Sequence, residues 1–311
     1  MNDSTIVAKS DSRAVLTGSL LVWIAALGFS AKAILIKLAY ATGTVDAISL
    51  LTLRMAMSLP FFLIAATWIG GANQKPAITH SDWWLVLALG MIGYYFASFL
   101  DFEGLTYISA GLERLILFLY PTLVVLFSAL VYRQRVPVPE VLALVFSYAG
   151  IGFVVSEEIG RQSGDLWLGI ALVFGSAVAF ALYMMGSGEM VRRIGSFRFT
   201  CYSMIVACLA TGVHFSLQPG GRLFGWPLRI YGLALLMALI STVLPAFFLT
   251  AGIRRLGSGT ASIISSAGPV ATLALAYFLL GERLSPVQIL GSVLVLGGVC
   301  LITRYPSRRD V

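Results

Sequence analysis

Ten long apolar stretches constrain the fold of this chain more than any other feature of its sequence. A transmembrane α-helix needs about 20 mostly apolar residues, and stretches near that length lie at residues 15–38, 46–69, 83–103, 109–131, 138–156, 166–189, 197–217, 229–250, 258–280 and 286–303. The connections are too short for a soluble domain of any size. Backbone groups must be paired within lipid, which an open sheet does not achieve. The pattern therefore predicts an all-α polytopic membrane protein with ten transmembrane helices.

The composition supports a membrane protein and excludes several classes of function. Of the 311 residues, 59% are hydrophobic and 11% are charged, whereas an ordinary soluble domain has about 25% charged residues. The net charge of +7 is interpreted as membrane topology and contact with anionic lipid headgroups, not as a nucleic-acid surface. No phosphate-binding loop for ATP is present. The three cysteines, Cys201, Cys208 and Cys300, lie in apolar runs without metal-ligand spacing, so we expect neither a metal nor another cofactor.

The basic residues predict the orientation. If the N-terminus is cytoplasmic, thirteen of the 21 Lys and Arg residues fall in inside segments and five fall in outside segments. The remaining three, Lys32, Arg54 and Arg114, lie within spans or at their edges. This bias predicts a multi-pass protein of the cell (inner) membrane with both termini cytoplasmic. The first thirteen residues are polar and the first apolar run is long enough to span, so no cleaved signal is expected.

One part of the sequence is repeated in its pattern. Residues 109–154 align without a gap on residues 257–302, at a constant offset of 148 that places Pro121 on Pro269. Few residues are identical, but a small-residue helix start, a mid-helix proline, a charged corner and a glycine-bearing apolar run recur. Each half has five spans, an odd number, so the second half must enter the membrane from the opposite side. The sequence predicts two inverted five-helix repeats, residues 1–156 and 157–311, an arrangement typical of carriers.

The second copy carries a family resemblance. The run GERLSPVQILG at residues 281–291 and the run SSAGP at residues 265–269 resemble the EamA domain of the drug/metabolite transporter superfamily. The first copy departs from that pattern, with Arg-Gln-Arg at residues 133–135 in place of Gly-Glu-Arg and Leu119-Tyr120 before its proline. The resemblance covers essentially the whole chain. It implies a ten-helix carrier of small metabolites, and the chain resembles bacterial members that export aromatic and other amino acids.

Ionisable residues inside a bilayer indicate function or tight pairing, and here seven of them cluster toward the predicted outer side of the first half: Lys32, Lys37, Arg54, Asp101, Glu103, Glu113 and Arg114. The offset of 148 places uncharged residues at all seven equivalent positions. Two interpretations stay open. The charges lie at helix ends and extend to water, as we expect for Lys37 and Glu103. Alternatively, Lys32, Arg54 and one of the acids line an outward-opening vestibule and meet the charges of a zwitterion.

Polar residues at helical spacing complete the predicted pathway. Tyr94, Ser98 and Asp101 share one face of the third span, and Tyr183 shares a face with Ser176 on the sixth. Hydroxyl stripes also serve plain helix packing, and that alternative stays open for the stripe on the ninth span. The candidate substrate-pathway residues are Lys32, Arg54, Tyr94, Ser98, Asp101, Glu113, Tyr183, Ser262 and Ser265. The candidate hinges are Pro121, Pro245 and Pro269, with static kinking as the alternative.

The sequence favours a carrier that exports amino acids or related small metabolites by alternating access. An exporter of other metabolites or drugs and a channel-like facilitator stay open, and so does the oligomeric state. An intramembrane enzyme is disfavoured because the chain has two histidines, His80 and His214, neither of which faces a serine flanked by glycines. The expected partners are a small-molecule substrate and the lipid bilayer, without nucleic acid.

Overall fold

A computed structural model describes residues 3–43, 45–70, 78–131, 138–158, 165–249, 251–252, 255, 268–281 and 285–304. All regular structure in these residues is helical. The α-helices are α1 (Asp3–Tyr40), α2 (Ala47–Gly70), α3 (His80–Gly90), α4 (Ala97–Gly104), α5 (Ala110–Leu117), α6 (Tyr120–Val131), α7 (Val138–Glu158), α8 (Leu166–Ile194), α9 (Ser196–Leu217), α10 (Leu228–Ala238), α11 (Gly268–Leu275) and α12 (Pro286–Arg304). Three π-helical turns, Met91–Phe96, Leu239–Val243 and Ala276–Leu280, lie within or directly follow these helices.

Seven helical segments of the described chain are long and apolar enough to cross a membrane: Val15–Tyr40, Ala47–Trp68, His80–Gly104, Ala110–Val131, Leu166–Val191, Ser196–Leu217 and Leu228–Leu249. Two of the other predicted spans fall on α7 and α12, and residues 258–267 of the remaining one lie outside the described residues; none of the three is among the seven. The predicted count of ten is therefore not confirmed. Large apolar side chains such as Trp68, Leu130 and Phe278 are more than 70% exposed, as expected for a surface that faces lipid.

The fourth predicted span is divided into two helices. Helix α5 ends at Leu117, and the Leu119 amide then bonds the Ile116 carbonyl three residues back, which tightens the last turn. Helix α6 begins at Tyr120, so Pro121 is its second residue. A proline is tolerated in the first turn of a helix because the amide there has no intrahelical acceptor. Pro121 therefore marks the start of a helix after a break, not the middle of a continuous one as the sequence predicts.

Pro245 follows the π-helical turn Leu239–Val243. A proline nitrogen cannot donate to the carbonyl four residues earlier, and its ring crowds that carbonyl, so a wider turn at this place relieves the conflict. The turn Met91–Phe96 in the first half starts 148 residues before Leu239, which is the offset of the sequence repeat. No proline lies near this first turn, and we have no local cause for it. The two halves thus deviate from regular helix at equivalent positions.

Several contacts between helices show the same internal symmetry: when each helix of the contact is replaced by its counterpart in the other half, an observed contact results. The offset of 148 makes α8 the counterpart of α1, α9 that of α2, α10 that of the α3–α4 segment, and α12 that of α7. Helix α8 packs on α4 and α1 packs on α10; α9 packs on α3 and α2 packs on α10. The counterparts α2 and α9 contact each other, as do α7 and α12. Exchanging the halves therefore reproduces these particular contacts.

Glycines permit the closest of these helix crossings. Gly104 and Gly252 are 148 residues apart, and a Cβ at either would overlap a valine of the facing helix, Val173 or Val22. On α12, a Cβ at Gly291 would lie 2.5 Å from the Gly150 carbonyl oxygen of α7. Small residues at such places let helix backbones approach in a membrane. The approach of Gly291 to Gly150 accordingly lets α12 and α7 pack closely against each other.

Candidate functional site

A cavity of about 280 Å³ lies among helices from both halves of the chain. Its wall is formed by α1, α2, the α3–α4 segment, α5, α6, α8 and α9, together with the π-helical turn Leu239–Val243. Gly93 and Tyr94 of the first π-helical turn and Ser241 and Thr242 of the second all line it. Such turns occur frequently at functional sites. The cavity is therefore the candidate substrate site.

The cavity runs between two distinct ends of the helix bundle. At one end, called the Tyr40 end, the Tyr40 hydroxyl donates to the Phe102 carbonyl at 2.8 Å. At the other, called the Arg193 end, Arg193 pairs with Asp82 at 3.0 Å. Asp82 and Phe102 lie at opposite ends of the span His80–Gly104, which separates the two ends by the length of a helix.

An ionic cluster closes the cavity toward the Tyr40 end. The Lys32 ammonium lies 2.5 Å from the Asp101 carboxylate and 3.8 Å from that of Glu113. Asp101 is 1% exposed and Glu113 is fully buried. In this conformation both acids are therefore buried instead of extending to water at helix ends, and Asp101 lines the cavity. Two carboxylates from α4 and α5 instead share one ammonium from α1.

Arg54 makes no direct ion pair with this cluster, although Asp101 interacts with it electrostatically. The residue is 4% exposed, and its guanidinium donates one hydrogen bond to the Ser98 hydroxyl at 3.1 Å and lies 4.8 Å from the centre of the Phe102 ring. The ring contact is a cation–π geometry. Its Nε has no hydrogen-bond partner among the described residues. Arg54 thus presents unused donors at the wall of the cavity.

Five aromatic side chains form a continuous part of the wall, here called the aromatic wall: Tyr94, Tyr120, Phe180, Tyr183 and Phe199. Ring centres are 4.9 Å apart for Tyr94 and Tyr183, 5.8 Å for Tyr183 and each of Phe180 and Phe199, and 5.0 Å for Phe180 and Tyr120. The Tyr183 hydroxyl donates to that of Tyr94 at 3.3 Å. A wall of this kind accommodates an apolar group and fixes its orientation with few polar contacts.

Six of the nine predicted pathway residues line the cavity: Lys32, Arg54, Tyr94, Ser98, Asp101 and Tyr183. Glu113 is buried beside Lys32 and is not among the lining residues. Ser262 and Ser265 lie outside the described residues. Of the hinge candidates, Pro245 packs against α1, where a Cβ at Gly28 would lie 2.6 Å from its Cγ. Pro121 and Pro269 are each the second residue of a described helix.

Sequence reasoning did not include several lining residues among the candidates: Arg114, Tyr120, Phe180, Phe199, Ser241 and Thr242. Phe180 shares a helix face with Tyr183, so spacing was a usable signal there. Tyr120, Phe199 and Thr242 carry no comparable signal, because aromatic and small polar residues also face lipid or neighbouring helices. Ser176, on the same stripe, donates to the Ala97 carbonyl at 2.7 Å, which is a packing bond between α8 and α4.

The Arg193 end carries a second ion-pair network. Arg193 bonds Glu189 on its own helix at 2.7 Å and Asp82 of α3 at 3.0 Å. These hydrogen bonds raise the pKa of the Arg193 guanidinium above its ordinary value. The Asp82 carboxylate also accepts from the backbone amide and the hydroxyl of Thr79, which completes a capping box at the start of α3. The network joins the beginning of α3 to the end of α8.

Comparison with known proteins agrees with these features. The EamA-like transporter family matches residues 16–156 and 167–304. The uncharacterized transporter YcbK of Bacillus subtilis is 28% identical over 306 residues, which cover 94% of each chain. The threonine/homoserine exporter RhtA of Salmonella typhimurium is 26% identical over 229 residues, 72% of each chain. A crystal structure with 19% sequence identity superposes with a TM-score of 0.65, covering 94% of this chain and 99% of the other; at that identity it shows the fold alone.

Proposed function

Because the chain belongs to the EamA-like transporter family, we propose that it is an inner-membrane carrier that exports amino acids or related small metabolites by alternating access. Family membership and the seven apolar helices make it a multi-pass membrane transporter that acts on a small molecule within the lipid bilayer. The substrate, the direction and the mechanism are the proposed part. The observation that carries them is a cavity that combines charged groups with the aromatic wall.

The chemistry of the cavity supports an amino acid as substrate. An amino acid presents a carboxylate, an ammonium and a side chain to its site. Arg54 and Arg114 line the cavity as cations, Asp101 as an acid, and the aromatic wall as an apolar surface. Such a mixture suits a molecule that is charged at one end and apolar at the other. The similarity to RhtA, an exporter of threonine and homoserine, supports the same substrate class.

The architecture proposed for transport is a pair of inverted five-helix units, residues 1–156 and 157–311, with ten spans and both termini in the cytoplasm. Matching π-helical turns, matching glycine crossings and helix contacts that survive an exchange of halves support this arrangement. In carriers of this design one unit rocks against the other around a fixed site. The breaks before Pro121 and at Pro245 are the proposed places of bending.

The conformation of the ends supports alternating access. At the Tyr40 end Asp101, Phe102 and Glu113 are fully or almost fully buried, and the Lys32 side chain is 15% exposed. Toward the Arg193 end, Val191 and Ser196 line the cavity and are half-buried. On the proposed topology the Arg193 end is cytoplasmic, so this state is the one that loads substrate from the cell. Release would require the ionic cluster to open.

Uptake into liposomes tests the substrate class. Purified protein is reconstituted into liposomes loaded with one amino acid, and labelled amino acids, a nucleotide sugar and a cationic drug are offered outside. We expect saturable uptake of several amino acids and none of the other two compounds. Uptake of the sugar or the drug without any amino acid would contradict the substrate class and leave the fold unaffected.

A further inference from the structure

Arg54 is a buried cation that makes no direct ion pair among the described residues, since Asp101, which interacts with it electrostatically, is bound to Lys32. It is 4% exposed, and none of the described acids lies within ion-pair distance of its guanidinium. An arginine side chain has five donor hydrogens, yet Ser98 is the single hydrogen-bond acceptor found for it in the described part of the chain. Burial of an uncompensated charge is strongly unfavourable. An arginine in this state indicates that an anion joins it from outside the protein.

The neighbouring acids are not available to fill that role. Asp101 is held by Lys32 at 2.5 Å, and Glu113 lies 3.8 Å from the same ammonium. Both acids therefore share Lys32, and neither pairs with Arg54. The unused donors of Arg54 lie at the cavity wall, beside Ser98. The Ser98 hydroxyl accepts from Arg54, and its own proton has no acceptor among the described residues, so it is free to donate to the same anion.

The chemistry of the donors specifies the anion. A guanidinium offers two parallel N–H groups that match the two oxygens of a carboxylate. The aromatic wall begins next to this pair of donors. Tyr94 lies about one helical turn before Ser98 on the same helical segment, and both residues line the cavity. A ligand whose carboxylate bonds Arg54 can therefore place an apolar group against the rings of Tyr94 and Tyr183. The volume of about 280 Å³ lies near the lower end of the range for small-molecule sites, roughly 300–1,000 Å³.

We propose that Arg54 and Ser98 form the carboxylate subsite of this cavity, so that a carboxylate is the required feature of the substrate and an ammonium is not. The inference rests on the proposed transport function and deepens it. It assigns recognition to a buried cation of the cavity wall that makes no ion pair among the described residues, and it predicts that compounds lacking a carboxylate are rejected. A buried group built to bond a ligand atom discriminates strongly against ligands without that atom, because the group is left unpaired.

Three compounds that differ by one group each test the proposal: L-phenylalanine, 3-phenylpropanoate, which lacks the ammonium, and phenethylamine, which lacks the carboxylate. Binding is measured as the rise in melting temperature of the purified full-length protein, because a ligand of the folded state stabilises it by mass action. We expect both carboxylates to raise the melting temperature in a saturable manner and phenethylamine to leave it unchanged. This measurement does not depend on transport.

Two substitutions locate the effect. Arg54→Gln removes the unpaired buried charge, so the ligand-free protein should stay folded with an unchanged or higher melting temperature, while both carboxylates lose their effect. Arg54→Lys keeps the charge and loses the fork of two donors, and we expect at least tenfold weaker binding of both carboxylates. Arg222→Gln, at an exposed position, is the control and should bind as the unaltered protein does.

The outcomes separate this inference from the proposed function. Stabilisation by phenethylamine equal to that by phenylalanine, unchanged binding in Arg54→Gln, or no stabilisation by either carboxylate would overturn the subsite. Binding of 3-phenylpropanoate that Arg54→Gln abolishes, together with absent transport of every amino acid, would overturn the amino-acid function and leave the subsite standing.

Discussion

Removal of the Lys32 charge is expected to destabilise the protein far more than removal of the Glu113 charge. In Lys32→Gln, two buried carboxylates lose their shared cation. At an effective dielectric constant of about 20, an ion pair at 2.5 Å contributes about 7 kcal/mol and one at 3.8 Å about 4 kcal/mol. The variant no longer has to desolvate the Lys32 ammonium, which offsets much of this loss. Breaking a buried ion pair typically costs about 3–5 kcal/mol net.

Glu113→Gln is the matched substitution. It loses the weaker attraction, at 3.8 Å, but it also removes the desolvation of one carboxylate and its repulsion from Asp101. A single ion pair, Lys32 with Asp101, remains balanced. We therefore expect the free energy of unfolding to change by no more than about 1 kcal/mol. The contrast between the two variants follows from the cluster holding two acids and one base.

Thermal unfolding in detergent measures the contrast. Cys201 and Cys208 are buried free thiols, so a thiol-reactive dye becomes fluorescent as the core opens. About 3–5 kcal/mol corresponds to a lowering of the melting temperature on the order of 10 °C for Lys32→Gln, against a few degrees at most for Glu113→Gln. Equal losses in the two variants, or an unchanged melting temperature in Lys32→Gln, would refute the shared-cation reasoning. Lys32→Arg, which keeps the charge, controls for the change of side chain.

Three further predictions follow from the packing and from the ends of the bundle. Gly291→Ala should destabilise the protein by about 1–3 kcal/mol, because the new methyl would lie 2.5 Å from the Gly150 carbonyl oxygen, whereas Gly152→Ala meets nothing within 4 Å; similar melting temperatures for the two variants would contradict the α7–α12 packing. Pro245→Ala should slow transport in liposomes without loss of folded protein, while Pro60→Ala, in a helix and exposed, should leave the rate unchanged; equal rates would remove Pro245 from the hinges. Arg193→Gln should lower the free energy of unfolding by less than about 1 kcal/mol, since the Arg193 side chain is 53% exposed and exposed ion pairs contribute little. A fall in melting temperature that corresponds to a larger loss would contradict this expectation for the Arg193–Asp82 pair.

The sequence predicted the helical membrane fold because hydropathy depends on local composition alone. It also identified six residues that line the cavity, since an ionisable or aromatic residue on a polar helix face is conspicuous in an apolar chain. Tyr94, Ser98 and Asp101 were found by their spacing on one face, and the π-helical turn at Met91–Phe96 leaves all three at the cavity wall.

The arrangement of the charges could not be predicted in the same way. Lys32 is far from Asp101 and Glu113 along the chain, and its pairing with them depends on how α1, α4 and α5 pack. The same packing buries the acids that sequence alone placed near water. That Arg54 makes no direct ion pair could not be predicted either, because a sequence shows which acids are present but not which basic residue each acid contacts. Pro121 illustrates a third limit, since sequence does not distinguish a kinked helix from two helices.

Exchange across the liposome membrane tests the central claim most directly. A carrier that alternates around one site moves labelled substrate faster when unlabelled substrate is present on the opposite side, and its rate saturates. We predict saturable uptake of a labelled amino acid that is accelerated by the same amino acid inside. Uptake that rises linearly with concentration and is unaffected by the amino acid inside the liposomes would contradict alternating access and indicate a channel.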